Sequence, residues 1–328
     1  MKRWNVAITG FGGVGRAVAD LMLARRARYA ERYGADIRLT GVRRSRTASV
    51  DPNGLAPGDW DAGVPAGDDF LDTAQAHVLI EAGPSDFRTG GPGYGYMKAA
   101  LSAGLHVVAI SKGALVHDGP GLRALAARHG ARLKISGAAG AALPTIDLIQ
   151  HNLAGCHILS IEGVLNATSN HLLTEMMDRD VNLADALTRA QDAGFAEFDP
   201  RLDVEGWDAA SKLLILLNFG LGASLTMADL SVGGIQHVTP ADIHGWRAAG
   251  LSPRLVAHVA WTDGTLRAGV ELRTYPATDP FALVRGTTKA IRIVTDAMGE
   301  IVATSHAAEP GATAAAALKD LEHILAAG

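Results

Sequence analysis

A helix-covered parallel sheet, and hence an α/β fold, is what this sequence predicts, on three observations. Short apolar runs of strand type alternate with Ala-, Leu- and Arg-rich segments of helix type through the first third of the chain, the pattern of successive βαβ units. A glycine cluster, Gly10-Phe11-Gly12-Gly13-Val14-Gly15, falls between the first strand-like run and the first helix-like one. Of 328 residues, 48% are hydrophobic and 20% charged, which supplies a large core and, at about 150 residues per domain, suggests two domains.

Taken in order, Asn5–Thr9 reads as the first strand and Val14–Arg28 as the first helix. Ile37–Val42 and Ala76–Glu81 are the next strands, and Tyr96–Ala103 is helical. Leu105–Ile110 is a continuous apolar run of the kind buried on both faces of a parallel sheet. A helix over Leu122–His129 and a strand near Leu133–Ser136 follow. The glycine-rich Pro84–Tyr96 reads as a loop; in a doubly wound fold it lies at the carboxyl ends of the strands, either closing over a ligand or merely linking. Gly137–Leu143 is too thin in side chains to make a core and permits close backbone approach.

Pro144 then opens a helix to Asn152, and His157–Leu165 is a strand. Helices at Leu172–Asp178, Leu183–Ala193 and about Gly206–Leu217 follow, with strands near Val256–Trp261, Thr265–Leu272 and Ala290–Thr295. The last helix, Ala314–Ala326, is amphipathic and must pack on something. These elements group into a Rossmann-type dinucleotide-binding domain over 1–135, an α/β substrate and dimerisation domain over 136–306, and a C-terminal helix over 307–328 that returns to the first domain.

The glycine cluster matches G-x-G-x-x-G at Gly10, Gly12 and Gly15, after a strand and at the opening of a helix, as the motif requires. Gly10 permits the tight turn, Gly12 lets a pyrophosphate approach the backbone, and Gly15 lets helix and strand pack closely. The helix N-terminus offers N–H groups and partial positive charge to phosphates. At the end of the second strand a NAD site usually carries an acid for the ribose 2′-hydroxyl. Here the run is Val42-Arg43-Arg44-Ser45-Arg46. Arg43 and Arg44 suit a 2′-phosphate, so NADP is expected over NAD, with NAD still possible.

Charge and composition narrow the classes further. With 30 Lys+Arg against 34 Asp+Glu, the formal charge of −4 lacks the basic footprint of a nucleic-acid protein. The single cysteine, Cys156, can form neither an internal disulfide nor a cysteine-based metal site, which points to a reducing, cytoplasmic setting. The basic start Met1-Lys2-Arg3 lacks the apolar stretch of a signal peptide. Leu213–Leu225, the most apolar segment, is too short to span a bilayer. The histidines lack ligand spacing, so no metal is expected.

The densest chemistry lies between Ala190 and Lys212, where acids crowd the approach to an apolar helix. Asp208 and Lys212, at i,i+4, are neighbours on one helix face, and Asp203 is placed to cap that helix. Lys212 runs straight into Leu213-Leu214-Ile215-Leu216-Leu217, so it either snorkels or is held in a site by an acid. The segment resembles the signature of the homoserine dehydrogenase family, A-x3-G-F/Y-A-x-x-D-P-x2-D-V-x-G-x-D-x3-K, at every specified position. Ser111-Lys112-Gly113, Gly163-Val164-Leu165-Asn166-Ala167-Thr168-Ser169-Asn170 and Gly311-Ala312-Thr313-Ala314 resemble further family motifs in the same chain order, so the resemblance covers nearly the whole chain.

That resemblance implies an NAD(P)-dependent oxidoreductase interconverting L-aspartate 4-semialdehyde and L-homoserine, working as a homodimer. It implies that Lys112 exchanges a proton at the reacting oxygen. Lys212 and Asp208 would hold the substrate, with Lys212 also a candidate for acid–base work. Glu197 and Asp203 would take the substrate ammonium, and Thr168 and Asn166 its other polar groups. Ser111, Lys112 and Gly311 would join the glycine loop in holding the cofactor.

The departures are Ser111 for an asparagine, Ala167 for a glycine, and Ser136 for a glutamate that helps bind a monovalent cation in the family. They motivate an alternative on the same scaffold acting on another small hydroxy or oxo acid. A non-catalytic nicotinamide-binding protein is a further alternative, against which Lys112, Asp208 and Lys212 argue. No ACT-type regulatory domain is expected after Gly328.

Overall fold

A computed structural model describes residues 1–61, 63–67, 69–262, 264–307 and 310–328. In chain order, β1 (Lys2–Thr9) leads through the glycine turn to α1 (Gly13–Ala24) and α2 (Arg26–Tyr33). Then come β2 (Ala35–Arg43), β3 (Thr47–Val50), β4 (Val64–Pro65), α3 (Phe70–Thr73) and β5 (Val78–Glu81). They are followed by α4 (Gly91–Ser102), β6 (His106–Ala109), α5 (Gly113–Arg128), β7 (Leu133–Lys134) and α6 (Ser136–Ala139). These strands form one sheet in the order β4-β3-β2-β1-β5-β6-β7. It is parallel from β2 to β7, with β3 and β4 added antiparallel at one edge.

The second stretch runs α7 (Thr145–Asp147), β8 (Ile158–Val164), α8 (Ala167–Arg179), α9 (Leu183–Asp192), α10 (Arg201–Val204) and α11 (Trp207–Ile215). It continues through β9 (Ser231–Val232), α12 (Pro240–Ala248), β10 (Leu251–Thr262), β11 (Thr265–Pro276), β12 (Lys289–Thr295) and β13 (Glu300–Ser305). Its sheet has the order β13-β12-β8-β10-β11-β9, antiparallel except at β9. The chain closes with α13 (Gly311–Leu325). It divides into two compact units, Met1–Ala142 with Asn218–Ser224 and Ala308–Gly328, and Leu143–Leu217 with Leu225–Ala307. The fold is therefore mixed α/β with two sheets. Among the described residues, no helix is long and apolar enough to cross a membrane.

In the first unit, the fully buried Val6, Ile8, Ile37, Leu39 and Ile80 of the sheet meet Val18 and Met22 of α1 and Leu318, Leu321 and Ile324 of α13. The C-terminal helix thus shares the core of the nucleotide-type sheet. The second unit packs Val164, Val256, Phe281, Val284 and Ala290 together. Arg254 is buried beside them, and its guanidinium donates to the carbonyls of Phe281 (3.0 Å), Ala282 (2.7 Å) and Pro253 (2.6 Å). Burial lowers its pKa to about 10, which still leaves it charged at neutral pH.

Several sequence expectations are corrected. The first helix does not run to Arg28: the backbone bends at Arg25, which seats the fully buried Tyr29 of the otherwise polar α2. Pro84–Tyr96 is not one loop, because α4 starts at Gly91 despite its glycines. A Cβ at Gly93 would sit 2.8 Å from the buried Glu81 carboxylate, so tertiary packing selects glycine inside this helix. The helix expected at Leu122 begins at Gly113, with a kink at Asp118 ahead of Pro120. Asp118 recaps the second half by accepting from the Gly121 amide at 3.0 Å. Ala138, Ala139 and Leu143, in the stretch read as too thin for a core, are buried. Ser136 belongs to α6 and not to the preceding strand. The expected helix to Asn152 tightens into α7 and a π-type turn over Leu148–Asn152. The short β3, β4, α3, α10 and β9 lay outside the sequence expectations, as did β13 and α12, whose Thr239–Asp242 capping box and Pro240 are legible signals.

Because Leu321 is fully buried between α13 and the first-unit core, Leu321→Ala should destabilise that unit by about 3 kcal/mol. Urea or thermal unfolding followed by far-UV CD checks this; an unshifted midpoint would remove α13 from the core.

Candidate active site

The first unit offers a nucleotide cradle at the switch point of its sheet, where the order reverses between β1 and its neighbours β2 and β5. Gly10 has φ +79°, and a Cβ there would overlap the Gly83 nitrogen and the Ala82 carbonyl. A Cβ at Gly15 would overlap the Gly10 carbonyl oxygen, so α1 crosses β1 at a distance only glycine allows. Gly12 and Gly13, by contrast, face open space. That open side belongs to a cleft of about 450 Å³ lined by Gly10 to Val14, Arg44, Ser45 and Ala82 to Pro84. The N-cap of α1 is Gly12, which has no side chain to bond the leading amides, and a helix start of this kind suits an anion.

The two arginines part company where β2 ends: Arg43 is its last residue, and Arg44 lies in the turn just past it. Arg44 lines the cleft, while Arg43 turns away to the Gly67 carbonyl and stacks over Tyr96, 5.0 Å from the ring centre. Arg44 donates to the Trp60 carbonyl and to Asp61 (3.2 Å), and lies 5.4 Å from the centre of the buried Phe11 ring.

At the ends of β5 and β6, Glu81 is buried beside Ser111. Its carboxylate accepts from the Ser111 hydroxyl and from the Gly83 amide at 2.7 Å. Burial pushes this carboxyl up, and those hydrogen bonds oppose the shift. The Lys112 amide donates to Ser85 Oγ at 3.0 Å, so the turn carrying Lys112 and the loop lining the cleft are tied together. Nothing in the motif reading pointed to Glu81; its signal is an acid ending an apolar strand. Gly311 opens α13 with free space where a side chain would stand. Ser136 gives its amide and hydroxyl to the buried Asp320 at 2.8 Å each, and Lys319 donates to the same hydroxyl at 2.7 Å.

The second unit holds an ionic network. Asn166 caps α8 through Oδ1, which accepts from the Ser169 amide at 2.7 Å. The cap turns its Nδ2 towards Asp203 Oδ1 (2.5 Å) and Asp208 Oδ2 (2.7 Å). Lys212 Nζ donates to the same Asp208 oxygen at 2.6 Å and to the Leu165 carbonyl at 2.8 Å. Asp208 and Lys212 are mostly buried, with side-chain exposures of 13% and 15%. Burial raises the Asp203 carboxyl above its ordinary range; the Asn166 bond opposes this, Asp208 adds to it, and Lys212 and Thr168 oppose it.

Asp203 does not cap α11 as the sequence suggested. The cap is Gly206 at φ +88°, where a Cβ would overlap the Gly233 carbonyl oxygen. Asp203 sits instead in α10 with its carboxylate on Asn166. Glu197 is exposed on the segment before α10, where its carbonyl accepts from Gln191 Nε2 at 2.9 Å. Of the acids picked out in the sequence, Asp203 and Asp208 are therefore brought together, and Glu197 is not among the groups that meet on Asn166.

Two family models match, homoserine dehydrogenase over residues 144–321 and the homoserine dehydrogenase NAD-binding domain over residues 10–136. A homoserine dehydrogenase of Methanocaldococcus jannaschii is 30% identical, with 98% of each chain covered. An NAD(+)-dependent homoserine dehydrogenase of Pseudomonas canavaninivorans is 33% identical over 99% of this chain and 97% of its own. The crystal structure of a homoserine dehydrogenase from Thiobacillus denitrificans superposes with a TM-score of 0.88 at 26% identity, over 99% of this chain and 74% of that one. With both units matched, the chain belongs to the homoserine dehydrogenase family of NAD(P)-dependent oxidoreductases.

Proposed function

We propose that the protein interconverts L-homoserine and L-aspartate 4-semialdehyde, with NADP preferred over NAD. The Asn166–Asp203–Asp208–Lys212 network carries this reading. Two carboxylates and one ammonium leave a net charge of −1 in a mostly buried setting, which favours a cationic guest such as an amino-acid ammonium. Lys212 spends two of its three N–H donors on protein acceptors among the described residues, so a third remains for a substrate oxygen. Asp208 fixes the position of the lysine ammonium, and Asp203 with Thr168 supplies the ammonium site.

The open faces of Gly12 and Gly13 and the α1 amides fit a dinucleotide pyrophosphate. When bound, the nicotinamide supplies or accepts the hydride. Lys112 would pass a proton to or from the reacting oxygen, with a neighbouring positive charge easing the developing alkoxide. NADP preference rests on Arg44, which lines the cleft; Arg43 is left out of this role. A homodimer and the family's choice of substrate belong to the same reading and rest on family resemblance.

Purified protein should reduce NADP with L-homoserine and oxidise NADPH with the semialdehyde. Lys212→Met should cut kcat about a thousandfold while cofactor Kd, read by calorimetry, barely moves; an undiminished rate would remove Lys212 from the chemistry. Asp203 holds an ammonium only while ionised, and its pKa is raised. KM for homoserine should therefore climb as pH falls, starting above the ordinary Asp range of about 4, and Asp203→Asn should flatten that limb. Arg44→Ala should weaken NADP binding about tenfold and NAD binding little, whereas Arg43→Ala should leave the NADP-to-NAD ratio unchanged.

A further inference from the structure

The mouth of the nucleotide cleft carries a charge arrangement that motif reading does not register. Asp61 Oδ1 accepts from Arg44 at 3.2 Å and from Arg16 at 2.9 Å. The two guanidiniums lie over the same Phe11 ring, each 5.4 Å from its centre. Phe11 in turn packs on Trp60 at 5.6 Å, and the Trp60 carbonyl takes a further bond from Arg44. The short helical turn over Asp59–Asp61 thus presents one carboxylate to two cations, of which Arg44 lines the cleft. Its neighbour Asp59 is used differently, accepting from the Ala56 amide at 2.6 Å to shape the turn. The Asp61 side chain is 59% exposed, against 26% for Arg44, so it can leave Arg44 without uncovering any core.

We propose that Asp61 sets the balance between NADP and NAD by occupying, as an internal carboxylate, the guanidiniums that a ribose 2′-phosphate would take. A 2′-phosphate brings nearly two negative charges and bidentate geometry, so it competes for Arg44 and Arg16 but is repelled by Asp61. A 2′-hydroxyl has no charge with which to displace the carboxylate, so NAD binds with the Arg16–Asp61–Arg44 set intact. The carboxylate therefore narrows a preference that the arginines alone would make large. This inference rests on the nicotinamide-nucleotide reading given above.

The test is calorimetric titration of the whole protein and of Asp61→Asn with NADP, NAD and 2′,5′-ADP, with thermal unfolding to verify that both are folded. Asp61→Asn should raise affinity for NADP and 2′,5′-ADP by about fivefold to tenfold while NAD changes less than about twofold. The gain should shrink at about 1 M salt, where screening is nearly complete. An NADP-to-NAD ratio unmoved by Asp61→Asn, or equal gains for both nucleotides, would overturn the proposal while leaving the nucleotide-binding reading standing. Failure of every nucleotide to bind the unaltered protein would overturn both.

Discussion

The arrangement of the second unit depends on one amide. Asn166 spends its oxygen capping α8 and its two N–H donors on Asp203 and Asp208. Without that bridge two mostly buried carboxylates would face each other with a single lysine between them, and like charges in such a setting drive one acid towards its neutral form. With it, each carboxylate accepts an N–H bond that favours its ionised form, against the burial that raises the Asp203 carboxyl. The surrounding backbone serves this. Asn170, on the same helix, gives Nδ2 to the carbonyls of Val284, Gly286 and Thr288 at 3.0 to 3.1 Å, fixing where α8 begins. Gly206 lets α11 start against Gly233, so that Asp208 and Lys212 lie on the helix face that reaches Leu165 and Asn166.

The first unit obeys a geometric constraint instead. Contact between the Gly10 turn and α1 at Gly15, and between Gly10 and the Ala82–Gly83 backbone, leaves room for no side chain. Gly12 and Gly13, just beyond that contact, have open space where a Cβ would stand. Glu81 extends the order sideways, since its carboxylate joins the Gly83 loop to the strand end that carries Ser111 and Lys112.

Much of this was legible in the residues. Continuous apolar runs such as Val78–Glu81 and Leu105–Ile110 announce strands of a parallel sheet because both faces are buried. Asp208 and Lys212 meet as their i,i+4 spacing requires. What stayed hidden depends on contacts distant in sequence. The glycine-rich start of α4 reads as loop until the Glu81 carboxylate beside Gly93 is known. Arg43 and Arg44 look equivalent in a string of letters, and only the fold separates them, sending Arg43 to the Gly67 carbonyl and Arg44 to the cleft. Glu197 and Asp203 are close in sequence, yet only Asp203 reaches Asn166. The substitution at Ser136 looked like a lost ligand, while in the fold its hydroxyl is engaged by Asp320 and Lys319.

The central claim is that the network on Asn166 recognises an ammonium group. Its most direct measurement compares kcat/KM for L-homoserine with that for 4-hydroxybutyrate, which has the same reacting alcohol and carboxylate but no amine, at saturating NADP. A loss of at least about a hundredfold for the amine-free alcohol is predicted, since a buried charge left without its partner is costly. Equal turnover of the two would contradict the account.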